Sequence, residues 1–216
     1  YFGDWEPGPD PPTVRTVEPA QRGQRRIAMR DPGQPFLIMG WHKPAADHPD
    51  APTFDVLTTL LANGRSSRLH TRLVKDEKKA VAVGAITQIP GELYPGLVLT
   101  FVVPGKGIGA LETEAAVLEE IQDIIDNGID AEELAGVKTR MKADFVRQMR
   151  SNFGMISGLV GEELFWDDWS GALGYPFEID AVTSEDIQRV AAETFTEANL
   201  SVGYIITEED GEDNAS

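Results

Sequence analysis

Short apolar runs bounded by glycine, proline and aspartate recur between residues 24 and 103 and again near the end of the chain. They predict strands over residues 24–30, 35–41, 81–89, 97–103 and 201–206. The second run contains Phe36-Leu37-Ile38-Met39, which is apolar on both faces and therefore typical of a central strand. Pro90-Gly91 and Pro95-Gly96 separate the third and fourth runs, so these two strands are expected to form an antiparallel pair.

Apolar residues at intervals of three and four predict helices between these strands. The stripes consist of Phe54, Leu57, Leu60 and Leu61, of Leu69 and Leu73, of Leu111, Leu118, Ile121 and Ile125, of Leu134, Val137, Met141, Phe145 and Met149, and of Ile187, Val190, Ala191 and Phe195. A further helix is predicted over residues 156–169, with Phe165, Trp166 and Trp169 as its core anchors.

Capping residues predict where several of these helices begin and end. Asn63-Gly64 ends the first helix, and Ser66 or Ser67 caps the short second one. Asp130 and Glu133 have the spacing of a capping box, and Thr183 with Asp186 opens the last helix.

The resulting order, β-β-α-α-β-β-α-α-α-α-β, predicts an α+β domain with a mixed, largely antiparallel sheet and helices packed mainly on one face. Residues 24–207 are expected to form this domain. Residues 1–23 contain five prolines and predict an extended linker. Residues 208–216 predict an acidic, disordered tail.

The chain is strongly acidic, since 36 Asp and Glu against 19 Lys and Arg give a formal charge of −17. A field of this sign repels phosphates, so neither nucleic acid nor an anionic membrane surface is an expected partner. The acidic surface either keeps the protein soluble or recruits a basic partner, and solubility is the preferred interpretation. No apolar run reaches the ~18 residues that a membrane span needs, so none is predicted.

No catalytic residue and no metal ligand is predicted in this chain. The absence of cysteine excludes disulfides, thiolate metal sites and cysteine nucleophiles. The three histidines, His42, His48 and His70, form neither a His-Glu-x-x-His nor a His-x-x-Glu-His pattern. His42 and His48 lie with Asp47 and Asp50 in a proline-rich stretch and are expected to be polar loop residues, while His70 is expected to have a surface or packing role.

One segment resembles a known family. Residues 60–69, Leu-Leu-Ala-Asn-Gly-Arg-Ser-Ser-Arg-Leu, followed by Leu73-Val74-Lys75, are similar to the helix–turn–helix of the pitrilysin/insulinase zinc metallopeptidases, the family of mitochondrial processing peptidase. Further pieces occur in the family order across nearly the whole chain: Tyr1-Phe2-Gly3, Glu18-Pro19, Trp41…Pro44…Asp50, residues 128–134 and residues 182–187.

The resemblance implies the C-terminal, non-zinc domain of such a peptidase. In this family one α+β domain carries the inverted zinc motif, and the next closes the chamber over an extended peptide. Zinc is therefore expected in a preceding domain, and this chain is expected to hold no cofactor and to be inactive alone. The implied partners are that preceding domain, a peptide substrate and a second homologous subunit. Substrate-binding residues stay unidentified, and the motif residues are expected to be mainly structural: Gly64, Ser66, Ser67, Arg68 and Leu69.

The chain departs from the family at two positions. Many members carry an Arg and, seven residues later, a Tyr that reach the substrate, and the corresponding positions here are Val74 and Val81. Because neither valine can donate a hydrogen bond or carry charge, this role is not transferred. The departure fits the second half of a zinc chain whose partner subunit supplies the pair, and it equally fits a degenerate, non-catalytic homologue.

Two other hypotheses stay open. In the first hypothesis, the chain is a non-catalytic scaffold resembling the core subunits of the respiratory cytochrome bc complex. In the second, it is an unrelated α+β binding domain that shares only the short motif. It opens on Tyr1 without an initiator Met or a signal segment, so a piece of a longer protein is expected. The compartment is undecided between bacterial periplasm and cytoplasm.

Overall fold

Five strands pair into one mixed sheet in the order β1-β5-β2-β4-β3. They are β1 (Arg25–Arg30), β2 (Phe36–Lys43), β3 (Ala80–Ile89), β4 (Gly96–Pro104) and β5 (Leu200–Ile206). β1 and β5 run parallel, whereas the other neighbouring pairs are antiparallel. The structure, a computed structural model, describes residues 3–6, 8–9, 14 and 18–207. The predicted tail and part of the predicted linker lie outside the described residues.

Helices follow β2 and β4 along the chain. They are α1 (Ala51–Leu61), α2 (Ala110–Asn127), α3 (Ala131–Met149), α4 (Asn152–Trp166), α5 (Tyr175–Ala181) and α6 (Ser184–Thr194). A π-helix covers His70–Asp76, and short 3-10 segments cover Trp169–Leu173 and Glu197–Asn199. This order confirms the predicted α+β fold. In the described part of the chain, no helix is both long and apolar enough to cross a membrane.

The core lies between one face of the sheet and the helices. Leu37, Met39 and Trp41 alternate along β2 and are fully buried, because β2 lies in the middle of the sheet with helices over this face. The Trp41 ring packs edge-to-face against Phe195 at the end of α6, with 4.8 Å between the ring centroids. Predicted helix residues complete this core: Phe54, Leu57, Leu60, Leu61, Leu69, Leu73, Ile187, Val190 and Ala191.

The apolar stripe predicted on α2 was partly wrong. Ile121 is buried as predicted, but Leu111 is 52% exposed and Val117 and Ile124 are buried in its place. The true buried face also includes Ala110, Thr113 and Glu114. Small and polar residues therefore cover part of the sheet here, and an apolar count alone misplaces the helix face.

The prediction for residues 156–169 was also wrong about where the helix ends and about which residues anchor it in the core. α4 ends at Trp166 because Asp167 takes a left-handed backbone with φ of 55°. Trp169 belongs to the following 3-10 segment and is 55% exposed, and Phe165 is also exposed. These aromatic side chains lie at the surface instead of anchoring the core.

The two predicted N-terminal caps form differently. Thr183 and Asp186 make the complete reciprocal capping box of α6. The Asp130 carboxylate caps α3 by accepting the Glu133 backbone N–H at 2.8 Å. The Glu133 side chain does not accept the Asp130 backbone N–H, because its carboxylate binds Arg68.

Candidate functional site

The motif residues form the turn between α1 and the π-helix. Gly64 has φ of +95°, a left-handed conformation that favours glycine. The Ser67 hydroxyl donates to the Gly64 carbonyl at 2.8 Å, which tightens the turn instead of capping the next helix. Leu69 is fully buried, and Arg140 of α3 donates to the Ser66 hydroxyl. All of these contacts lie within the domain.

Arg68 connects this turn to two long helices. Its Nε and Nη2 atoms donate to the two Glu133 oxygens of α3 at 2.9 and 2.7 Å, and Nη1 donates to Asp123 of α2 at 2.7 Å. The bond to Glu133 raises the pKa of Arg68, so the guanidinium stays charged. The side chain is only 17% exposed, which strengthens these charge-assisted bonds.

The two valines at the family's Arg/Tyr positions lie on different elements. Val74 is partly buried in the π-helix and packs against the core, and Val81 is 63% exposed on the edge strand β3. Aliphatic side chains at both positions give a substrate carbonyl no hydrogen-bond donor.

The three histidines have different hydrogen-bond partners, although His42 and His48 line one hollow next to the end of β2. His42 Nδ1 lies 3.1 Å from Asn199 Oδ1, and its Nε2 lies 3.3 Å from Glu18. His48 Nδ1 accepts the Asp50 backbone N–H at 3.2 Å. The buried Nδ1 of His70 has no hydrogen-bond partner within the described residues. Across that same part of the chain, no three His, Asp or Glu side chains come together as a metal site.

The structure reveals a cleft between α1, α3, α4 and α5 that the sequence patterns did not predict. Its volume is about 730 Å³, and it continues into a second hollow of about 600 Å³ towards the loop after β2. Asp55 lies where the two meet, and its carboxylate accepts from the Thr87 hydroxyl at 3.1 Å and the Tyr175 hydroxyl at 3.5 Å. This group joins α1 to β3 and α5.

Burial shifts the titration of the groups around Asp55. It raises the pKa of the Asp55 carboxyl, raises that of the Tyr175 phenol and lowers that of the Lys43 ammonium. The Lys43 ammonium donates to the Pro44 carbonyl at 3.1 Å and lies 5.4 Å from the centre of the Phe54 ring. Burial, helped by the nearby Glu178 carboxylate, also raises the pKa of Glu162 on the rim. The cleft therefore offers hydrogen-bonding groups, and carboxylates outnumber cations in its lining, with Asp55, Glu92, Asp144 and Glu162 beside Arg140.

The substitution Asp55→Asn is expected to change how stability depends on pH. The folded state holds the Asp55 proton more tightly than the unfolded chain does, so the stabilisation is complete below the ordinary carboxyl pKa of 3.8. It is lost as the pH rises through the raised pKa of the folded state. Urea unfolding at a series of pH values should therefore show that Asp55→Asn loses less stability than the wild type over this rise.

Asp50→Asn provides a control of opposite sign. The bond from Arg189 lowers the pKa of Asp50, so its stabilisation is present above 3.8 and is lost as the pH falls through the lowered pKa. If the two variants shift the pH profile in the same direction, the interpretation of the Asp55 group is wrong.

Comparison with known proteins identifies the family. Residues 1–141 match the family described as the peptidase M16 inactive domain. The chain is 27% identical over 197 residues to the zinc protease PqqE of Helicobacter pylori, and this match covers 90% of the chain and 44% of that protein. The chain thus spans less than half the length of this curated relative.

Solved structures show the same fold. A protease from Helicobacter pylori superposes with a TM-score of 0.84 at 24% identity, covering 92% of this chain and 48% of that one. The peptidase M16 inactive domain from Pseudomonas fluorescens gives a TM-score of 0.76 at 14% identity, covering 92% and 46%. Since the family match spans well over half of the 216 residues, the chain belongs to the M16 peptidase family as an inactive, C-terminal-type domain, which confirms the resemblance to the pitrilysin/insulinase peptidases.

Proposed function

We propose that this chain is the companion domain of a zinc peptidase, which closes the chamber over an extended peptide while the zinc site lies in a preceding domain. The match to the M16 inactive domain carries this proposal. A zinc peptidase must activate water and polarise the scissile carbonyl, and the zinc domain does both. The companion domain supplies walls, orients the peptide and excludes bulk water.

The exposed face of α4 is the proposed contact with the preceding domain. Phe153, Ile156, Val160 and Leu164 lie three or four residues apart along α4, and all four are more than half exposed. Glu162 and Glu163 are the only charged residues of this helix. An apolar stripe of this length is typical of an interaction surface. The occupant that fits is the remaining half of a protein as long as the Helicobacter pylori relative, of which this chain spans 44%.

We also propose that residues 24–207 act as the folded unit and that residues 1–23 link it to the preceding domain. In this unit the motif residues Gly64, Ser66, Ser67, Arg68 and Leu69 have a structural role, which the Ser67–Gly64 bond and the Arg68 bonds to α2 and α3 support. A second homologous subunit completes the chamber and supplies the donors that Val74 and Val81 lack.

Zinc content and peptide hydrolysis test the proposal. Purified alone and supplied with zinc, the 216-residue chain is expected to hold no stoichiometric zinc and to leave a mixed peptide library intact. The longer protein, expressed from its full reading frame, is expected to bind zinc and to hydrolyse extended peptides. Metal analysis and mass spectrometry of the library measure both properties.

Two results would contradict the assignment. Hydrolysis by the chain alone would place the catalytic site within it, and a longer protein without zinc or activity would favour the scaffold hypothesis. In the longer protein, Leu164→Asp should loosen the contact between the halves and increase protease nicking of the connection, whereas Leu111→Asp, at an exposed leucine outside α4, should not. Equal nicking of the two variants would argue against the α4 contact.

A further inference from the structure

Two side chains of the N-terminal linker, Glu18 and Gln21, contact the domain where β2 ends and β5 begins. The Gln21 Nε2 group donates to the Leu200 carbonyl at 2.9 Å, and its Oε1 accepts from the Ser201 hydroxyl at 3.2 Å. The Glu18 carboxylate lies 3.3 Å from His42 Nε2. The Gln21 bonds join neutral groups and do not depend on pH, whereas the Glu18 contact depends on whether the imidazole holds a proton on Nε2.

The Asn199 side chain decides where a neutral His42 holds its proton. Asn199 Nδ2 donates to the carbonyls of His42 and Thr194 at 3.0 and 2.9 Å, so the amide oxygen points the other way. That oxygen accepts the His42 backbone N–H at 3.2 Å and lies 3.1 Å from His42 Nδ1. Because an amide oxygen can only accept, Nδ1 carries the hydrogen. In the neutral imidazole, Nε2 is therefore left with a bare lone pair.

This lone pair faces the Glu18 carboxylate. Two acceptors 3.3 Å apart with no hydrogen between them repel each other. A second proton, on Nε2, turns the same contact into a charge-assisted hydrogen bond. The contact between Glu18 and His42 is thus attractive only when the imidazole is a cation.

Other charged groups around His42 have partners of their own. The titratable groups that face it from neighbouring elements, apart from Glu18 of the linker, are His48 and Asp50 of the loop after β2 and Glu193 of α6. Asp50 and Glu193 both accept from Arg189, at 2.6 and 3.4 Å, and His48 accepts the Asp50 backbone N–H. Glu197, in the 3-10 segment that carries Asn199, acts on Arg26 of β1. Among the described residues, Glu18 is the one carboxylate within ion-pair distance of His42.

We propose that Glu18 and His42 form a pH-dependent clasp, which fastens the linker to the domain only while the imidazole is protonated. Histidines ordinarily gain this proton below about pH 6.5, and glutamates ordinarily keep their charge above about pH 4.3. The clasp should therefore be tightest between these values and weaker on both sides. It goes beyond the proposed function, since it rests only on contacts within this chain.

Opening of the clasp lengthens the connection to the part of the protein that precedes the domain. The next anchor along the linker is Gln21, three residues after Glu18. Three residues of extended chain span at most about 10 Å, so the preceding part gains up to that much reach at neutral pH. Mild acid would hold it closer to this domain.

Nuclear magnetic resonance of the 216-residue chain labelled with nitrogen-15 tests the clasp. Long-range proton–nitrogen spectra of the imidazoles at about pH 8 should show the proton of neutral His42 on Nδ1, and the His42→Gln variant assigns the signals. The heteronuclear Overhauser effect of the residue 18 amide measures how firmly the linker is held. It should correspond to a docked-to-free ratio about threefold higher near pH 5.5 than near pH 8, the size expected of an exposed ion pair, and should fall again below about pH 4.

Glu18→Gln removes the carboxylate charge without threatening the fold, since the Glu18 side chain is 65% exposed. It should abolish the rise in docking between neutral and mildly acidic pH. Glu6→Gln is the matched control, because it makes the same charge change at an exposed glutamate of the same linker. Its pH profile should match that of the wild type.

A proton on Nε2 of neutral His42, a rise in docking that survives in Glu18→Gln, or a rise that Glu6→Gln also abolishes would each overturn the clasp. These measurements involve neither zinc nor peptide hydrolysis. Failure of the clasp therefore leaves the proposed function standing, and failure of the proposed function leaves the clasp standing.

Discussion

The substitution Trp41→Ala is expected to lower the free energy of unfolding by about 3–5 kcal/mol. Trp41 is fully buried in the central strand β2, between β5 and β4, and packs edge-to-face on Phe195 of the last helix. Truncation removes this aromatic contact and leaves a cavity that the surrounding strands cannot fill, because their backbones are fixed by hydrogen bonds on both sides. Urea unfolding followed by circular dichroism measures the loss.

Trp169→Ala is the control for this experiment. The same atoms are removed from a side chain that is 55% exposed and lies outside the sheet, so we expect a loss below about 1 kcal/mol. Similar losses from the two tryptophan variants would mean that the packing around β2 does not dominate the core.

The substitution Arg68→Ala is expected to cost about 2–3 kcal/mol. It leaves the carboxylates of Glu133 and Asp123 without the cation that holds α2 and α3 together next to the motif turn. Arg68→Lys should recover only part of this loss, because a lysine cannot donate two parallel bonds to one carboxylate.

Arg147→Ala gives the surface comparison. Its pair with Asp144 spans one turn of α3 and is well exposed on both sides, so we expect at most about 0.5 kcal/mol. If Arg68→Ala costs no more than Arg147→Ala in the same urea titration, the motif has no structural role. Its resemblance to the family segment would then have to be explained by a contact with another domain.

Features that depend on neighbours in the sequence could be predicted. The five strands follow from short apolar runs, and the α6 capping box follows from Thr183 and Asp186, three residues apart. The α5 helix was missed because seven residues beginning with Tyr175-Pro176 are too short to show a helical period. The surface position of Trp169 could not be predicted, because it depends on the left-handed backbone at Asp167.

The candidate site was harder to predict than the fold. Asp55 contacts Thr87, which lies 32 positions later in the chain, and Tyr175, which lies 120 positions later. No local sequence pattern relates these three residues. One sign was present, since Asp55 is an isolated carboxylate within the apolar first helix.

The parallel pairing of β1 with β5 has a consequence for biosynthesis. β5 lies between β1 and β2, so the strand made last is inserted between the two made first. Residues 200–206 must leave the ribosome before β1 can pair, because β5 is its neighbour in the sheet. Closing the long loop between β1 and β5 slows folding. A nascent or truncated polypeptide that stops before residue 200 leaves one edge of β2 unpaired, and an unpaired strand edge favours aggregation until β5 has been made.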